Sequence, residues 1–254
     1  NLSDLEISDA GRFRDYLFAR GMSSSSVKRV FSSVKSIVNL AIREQGLTVT
    51  NVFSGTFIPD DGAKQLRNPI PSKALQRVQR DCQNLDDEAR WLISLISDTG
   101  MRLSEACGLL VSDIHVDAAT PFVELKEHAW RRLKTASSQR QIPLVGFSLW
   151  AAKRVISSPT GFAFPKYCNE KKCNSNSASA ALNKWLKPRV PNGCVIHSFR
   201  HSLRDRLRAV ECPADIIDAI GGWATEGIGH KYGAGYDLGV KHRWISRICK
   251  NTIE

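Results

Sequence analysis

Apolar residues recur at intervals of three and four through SSSVKRVFSSVKSIVNLAIREQG, where Val27, Val30, Phe31, Val34, Ile37, Val38, Ala41 and Ile42 form one stripe, with Lys28, Arg29 and Lys35 off it. That period predicts an amphipathic helix ending before Gly46, and a second helix is expected ahead of it, opening at Ser8 and stopped by Gly21. The pattern then breaks in NVFSGTFIPDDGAKQLRNPIPS, whose Gly, Pro, Asp and Asn predict a linker and a domain boundary near residues 58 to 70. Beyond it, DDEARWLISLISDTG predicts a helix closed by Gly100, and RLSEACGLL a short amphipathic one. PFVEL and RQIPL are short β-type runs flanking KEHAWRRLKTASSQ, the pattern of a β-ribbon with a mobile polar tip. SSPTGFAFPKYCNEKKCNSNSAS reads as a loop, and helices are expected over about 178–187, 198–210 and 213–220 and again beyond Asp237. No internal repeat is visible. The chain thus divides into a helical unit over residues 1–58, expected to be incomplete at its N-terminus, a linker over 59–70, and a mixed unit over 71–254.

An apolar share of 42% over 254 residues is enough to bury a substantial core. No run approaches the ~20 consecutive apolar residues of a membrane helix, and the start NLSDLEISDAGRF lacks a signal-peptide pattern, so a cytoplasmic protein without membrane contact is expected. Cys82, Cys107, Cys168, Cys173, Cys194, Cys212 and Cys249 are odd in number and scattered, which predicts reduced thiols rather than a disulfide framework. Lys and Arg exceed Asp and Glu by 36 to 25, a net charge of +11. That surplus suits a polyanion if it is gathered on one face, and is equally compatible with a merely basic surface.

Three segments could carry chemistry: TGMRLSEACGL, LKTASSQRQIPL and HSFRHSLRDRL. Arg102 follows a glycine turn at the start of a helix, where its guanidinium and free backbone donors can hold an oxyanion, and Glu105 lies on the same face and could orient it. His197 and Arg200 share a helical face, with His201 next to them, a set suited to a phosphate. Arg204, Arg206 and Arg208 nearby keep open the reading of a solvated basic helix. A zinc site built from Cys168, Cys173, Cys194 and His197 is a rival, weakened by Lys171 and Lys172 in the intervening loop. In GGWATEGIGHKYGAGYDLGV, Tyr232 and Tyr236 stand four apart, and residue type alone does not separate a nucleophile from a packing phenol.

In their order along the chain these segments resemble the catalytic domain of the tyrosine site-specific recombinases, the phage integrase family, over the C-terminal two thirds. TGMRLSE matches the family's Arg motif at Arg102 and Glu105, KTASSQRQIPL its β-hairpin lysine at Lys134 in preference to Lys126, and HSFRH its next motif at His197, Arg200 and His201. GGW stands where most members have L-G-H, so Trp223 replaces a histidine, and nine positions further on lies Tyr232, the counterpart of the nucleophile. The competing register from His230 leaves only six positions to Tyr236. The resemblance implies a mainly α, two-domain fold with a small antiparallel β-sheet: a helical core-binding domain followed by a mixed α+β catalytic domain. It implies that Tyr232 attacks a DNA phosphate to give a 3′-phosphotyrosyl link, Arg102 and Arg200 clamp the phosphate oxygens, Lys134 protonates the leaving oxygen and Trp223 donates a hydrogen bond, while His197 or His201 takes the tyrosine proton. No metal and no cofactor are needed. The implied partner is double-stranded DNA, gripped between the two domains with Lys28, Arg29, Lys35, Arg131 and Arg132 as candidate phosphate contacts, and the implied assembly is a homotetramer on synapsed DNA. Leu238, Trp244, Ile245 and Ile248 are a candidate face for docking on a neighbouring protomer. Integration or excision of a mobile element is the leading expectation, with a type IB topoisomerase and a non-catalytic DNA-binding protein as alternatives.

Overall fold

The structure, a computed structural model, describes residues 1–60, 62, 68–223 and 235–250. It falls into two compact units, Asn1–Gln65 and Leu66–Glu254.

In the first unit, α1 (Ile7–Ala19) and α2 (Ser24–Glu44) pack against each other. Ser23 caps α2 by accepting a hydrogen bond from the Ser26 N–H, and supplies one of the donors that a helix start leaves unpaired with a partner. Leu17, Val27 and Phe31 form a small core, around which the rings of Phe13, Phe31 and Phe53 stand 5.5 to 6.2 Å apart. Only the first half of the α2 stripe is covered. Ile37 is 67% exposed and Val34, Val38, Ala41 and Ile42 are only half-buried, so the apolar pattern predicted the helix correctly and overstated how much of it is buried.

The second unit is organised on α4 (Glu88–Thr99), whose residues Leu92 to Thr99 are all buried. A helix enclosed all round needs neighbours on every side. They are α3 (Ser72–Leu85), α6 (Gly146–Val155) and α8 (Ser198–Ala209). The sheet is β1 (Ile114–His115), β2 (Phe122–Leu125) and β3 (Arg140–Pro143), antiparallel in that order, with Val123 opposite Ile142 and Leu125 opposite Arg140. In β3 the alternation turns Arg140 and Ile142 inward and Gln141 outward. The remaining helices are α5 (Leu103–Cys107), α7 (Ser175–Leu186, capped by Asn174), α9 (Ala214–Gly221) and α10 (Leu238–Lys250).

Two expectations are corrected. The segment between β2 and β3 is not a free tip in its first half: Lys126 pairs with Asp113 and Glu124, His128 bonds to Asp113 and stacks on Trp130, and the Trp130 indole donates to Gly108. And part of the α10 face expected to dock on a neighbour is covered by its own chain, while Leu238 and Trp244 stay partly exposed. Ile245 and Ile248 are 0% and 3% exposed, in the same core as the rest of the unit, and the helix packs on β3 and α8 of its own chain. Among the described residues, no helix is long and apolar enough to cross a membrane.

Candidate active site

The site grows from the end of α4. Gly100 adopts a left-handed φ of 61°, and a Cβ there would lie 2.5 Å from the Leu203 side chain on α8, so glycine serves both the turn and the close approach. The turn delivers Arg102 to the N-cap of α5. Glu105, only 2% exposed, accepts from the Arg102 N–H at 2.9 Å and from Arg102 Nη1 at 2.5 Å, which orients the guanidinium from within. Its second oxygen also accepts from Arg140 Nη2 at 3.2 Å. Burial pushes the Glu105 carboxyl up, but the charge of Arg140 and the hydrogen bonds from Arg102 outweigh it and hold the group below its ordinary value.

Arg102 and Arg140 tie three segments together. Arg102 Nη1 donates to Ser138 Oγ at 2.9 Å, and Ser138 Oγ hydrogen-bonds to Thr135, the residue after Lys134. Arg102 Nη2 reaches the Gly222 carbonyl at 3.4 Å, while Arg140 donates to the Ile220 and Ser138 carbonyls at 2.9 and 2.7 Å. The β2–β3 segment, α5 and the end of α9 therefore meet on two guanidiniums. Both glycines of GGW are needed there: a Cβ on Gly221 would fall 1.7 Å from the Trp223 ring, and one on Gly222 would fall 2.6 Å from the Arg140 guanidinium.

Arg200 comes from α8 and is 4% exposed. Its Nη1 donates to the Gly100 carbonyl at 2.7 Å, its guanidinium lies 4.3 Å from the centre of the Trp223 ring, and Arg204 lies 4.8 Å from the same ring. Among the described residues, Nη2 is buried with no hydrogen-bond partner. Burial, and then repulsion from Arg102 and Arg140, press this guanidinium down to about 9, so it is charged at neutral pH in a setting that an anion would relieve. His197 sits at the N-cap position of α8, with its ring 5.4 Å from that of the exposed His201 in an edge-on contact.

Lys134 is exposed on the β2–β3 segment, whereas Lys126 is held by two carboxylates. Arg132 is exposed, but Arg131, expected at the DNA surface, is 4% exposed and donates to the Lys126 carbonyl. Lys28 pairs with Asp60, Arg29 is exposed and Lys35 half-buried. Tyr232 and His230 lie outside the described residues. Tyr236 is described: its hydroxyl donates to Asp215, which raises its pKa, the wrong direction for a nucleophile. The proposed zinc ligands are not assembled, because Cys194 faces the Asn68 and Pro69 carbonyls while Cys168 and Cys173 gather with Cys107. Among the described residues, no group of three or more His, Cys, Asp or Glu is arranged to hold a metal ion. Arg140 and Ser138 went unnoticed in the sequence, although the inward register of Arg140, two before Ile142, was readable in RQIPL.

A small antiparallel sheet among helices, with paired arginines, an internal glutamate and a tryptophan converging on one face, is the arrangement of a tyrosine recombinase catalytic unit. The family comparison agrees: residues 70–237 match the phage integrase family, and the chain belongs to it. No curated protein sequence matches the chain. Among solved structures, the Tn1549 transposon integrase is 19% identical with a TM-score of 0.64, covering 96% of this chain and 86% of that one. A lambda integrase is 15% identical with a TM-score of 0.61, over 93% and 83% of the respective chains. XerH site-specific recombinase is 14% identical with a TM-score of 0.60, over 99% and 71%. At these identities the likeness is one of fold. Family membership makes the protein a tyrosine recombinase, an enzyme of site-specific DNA recombination.

Proposed function

We propose that Tyr232 is the nucleophile of this recombinase and that Arg102, Arg200 and Trp223 bind the scissile phosphate. The observation that carries this reading is Arg200 Nη2, a buried cationic donor with no hydrogen-bond partner among the described residues, on a face shared with Arg102 and Trp223. Two guanidiniums and an indole N–H suit a phosphate whose charge grows in the transition state. The phenolate oxygen of Tyr232 forms a bond to phosphorus as the 5′-oxygen leaves, and Lys134 returns a proton to that oxygen. The phosphodiester energy is then held in the phosphotyrosine until a 5′-hydroxyl attacks it, which restores the tyrosine. His201 or His197 handles the tyrosine proton, since an indole has no acid–base role at neutral pH.

The helical first unit serves as the core-binding domain, with Lys28, Arg29 and Lys35 contacting phosphates. The exposed Lys28–Asp60 pair, 3.2 Å apart, contributes little and exchanges readily for DNA. Arg132 takes the same part beside Lys134. The Tn1549 integrase is known bound to a circular intermediate DNA and lambda integrase as a tetramer on a Holliday junction, which supports action on a mobile element by a DNA-associated tetramer.

The test uses nicked duplex carrying a candidate attachment site, with denaturant-resistant protein–DNA adduct as the readout. Loss of adduct in Tyr232→Phe alone supports the assignment; loss in Tyr236→Phe with retention in Tyr232→Phe overturns it. Relaxation of plasmid lacking any defined site would favour topoisomerase action instead.

A further inference from the structure

Next to α5, where the Cys173 thiol reaches the Ser104 carbonyl, the chain doubles back so that Cys168 and Cys173 form an isolated antiparallel bridge. The Asn169 N–H donates to the Lys172 carbonyl and the Asn174 N–H to the Tyr167 carbonyl, so the hydrogen bonds flank the cysteine pair instead of joining it. Such a pair has its Cα atoms about 4.5 Å apart with side chains on the same face. That separation falls within the roughly 4.4–6.8 Å range of disulfides. Cys173 is partly exposed, Cys168 is 2% exposed, and the Cys173 thiol, which donates to the Ser104 carbonyl at 3.9 Å, interacts electrostatically with Cys168 and with the fully buried Cys107 of α5.

Against these thiols stands a buried cation. Arg131 reaches in past Gly108, where a Cβ would lie 2.5 Å from its Cδ. Nη2 is taken by the Lys126 carbonyl, but Nε and Nη1 are buried with no hydrogen-bond partner among the described residues. Asp113 is engaged by Lys126, His128 and the Leu110 N–H. A guanidinium in this position favours a thiolate beside it.

We propose that Cys173 and Cys168 are a reactive dithiol that closes to a disulfide by exchange with a low-molecular-weight disulfide, Cys173 attacking and Cys168 resolving, with Arg131 stabilising the attacking thiolate. The Cys173 thiolate attacks one sulfur of the small disulfide, forms a mixed disulfide and expels one thiolate, which takes up the proton that Cys173 released. Cys168 then gives up its proton and attacks Cys173 Sγ, expelling the second small thiolate. The protein loses two hydrogens and the small disulfide becomes two thiols. The order follows from the surroundings. The hydrogen bond from Cys107 first, and then those from Cys168 and the charge of Arg131, bring Cys173 down to about 7 against the opposing effect of burial, whereas burial pushes Cys168 up to about 12.

The experiment exposes the reduced full chain to glutathione disulfide near neutral pH, followed by acid quench, thiol alkylation and peptide mapping by mass spectrometry. The expected product is a Cys168–Cys173 cross-linked peptide. Cys168→Ser should instead retain one glutathionyl group on Cys173, and Cys173→Ser should give neither product. Arg131→Met should slow the first step. Full loss of the pKa depression would cut the thiolate fraction about 50-fold, partly offset by greater nucleophilicity, so the slowing has a ceiling of about sixfold. A bond between Cys107 and Cys173, first modification at another cysteine, or an unmodified Cys173 in Cys168→Ser would overturn the proposal. The two serine variants decide it even if Arg131→Met does not fold.

Discussion

Replacing Glu105 by glutamine tests the electrostatic frame of the active site with almost no change in shape. The carboxylate is buried and accepts from the Arg102 N–H, Arg102 Nη1 and Arg140 Nη2, at 2.9, 2.5 and 3.2 Å. Glutamine keeps one acceptor oxygen and turns the other position into an NH₂ group facing a guanidinium, so at least one charge-assisted bond, about 1.5–3 kcal/mol, is lost and a donor meets a donor. Arg140, itself buried, also loses the carboxylate that offsets its desolvation. Breaking a buried pair of this kind costs about 3–5 kcal/mol, or on the order of 10 °C in the melting temperature of a domain this size. The pH dependence has a definite sign. The folded pKa of Glu105 lies below its ordinary value of 4.5, so its stabilisation is present above about that pH and fades as the pH falls through the depressed folded value. Denaturant unfolding of both proteins near neutral pH and at stepwise lower pH measures this. The gap should be widest near neutrality and narrow with acidification. A neutral-pH loss under ~1 kcal/mol, or a gap unchanged in acid, would refute the reasoning.

Gly221→Ala places a Cβ where the Trp223 ring now lies, 1.7 Å away, so covalent adduct should fall about as far as in Trp223→Ala, on the order of 10²-fold, with DNA binding retained; parallel single-turnover and filter-binding assays compare the two. Lys134→Ala should slow cleavage by about 10²–10⁴-fold on an ordinary phosphodiester and far less on a substrate whose 5′-bridging oxygen is replaced by sulfur, a leaving group that needs no proton; equal loss on both substrates would remove Lys134 from the general-acid role. Arg132→Gln should reduce the slope of log affinity against log salt by about 0.9, while Lys126→Gln, at a side chain already committed to two carboxylates, should leave it nearly unchanged.

The elements that could be read in the sequence are those whose pattern is strong within one segment. The stripe of α2 and the glycine-closed run of α4 are of this kind, and so is the inward alternation of β3. α3 was not read as a helix because Ala74, Leu75, Val78 and Cys82, which form its buried face, are diluted by Lys, Gln and Arg and follow a proline-rich linker. A two-residue strand such as β1 carries no period at all. The apolar face of α10 was legible but its partner was not, since the same stripe can be covered by its own unit or by a second copy. At the site, a glycine turn marked Arg102 and the family resemblance marked Trp223, whereas Arg131 was misplaced for a physical reason: arginine is read as surface by type, yet its long stem can lie over a glycine such as Gly108 and carry the charge inward.

Arg102, Arg140 and Arg200 repel one another, and two of them are almost fully buried. Glu105 is the carboxylate paired with the first two, and its hydrogen bonds are spent on holding them. Among the described residues, Arg200 is left with a carbonyl, an indole face and an unpartnered donor. Among the described residues the fold thus neutralises part of this charge and leaves one guanidinium without a carboxylate, and if Arg200 binds phosphate as proposed, the binding energy is greatest where that charge is unanswered. If Arg200 binds the scissile phosphate as proposed, a second carboxylate beside it would stabilise the free protein and compete with that phosphate, and among the described residues Glu105 pairs with Arg102 and Arg140 and leaves Arg200 to the anion.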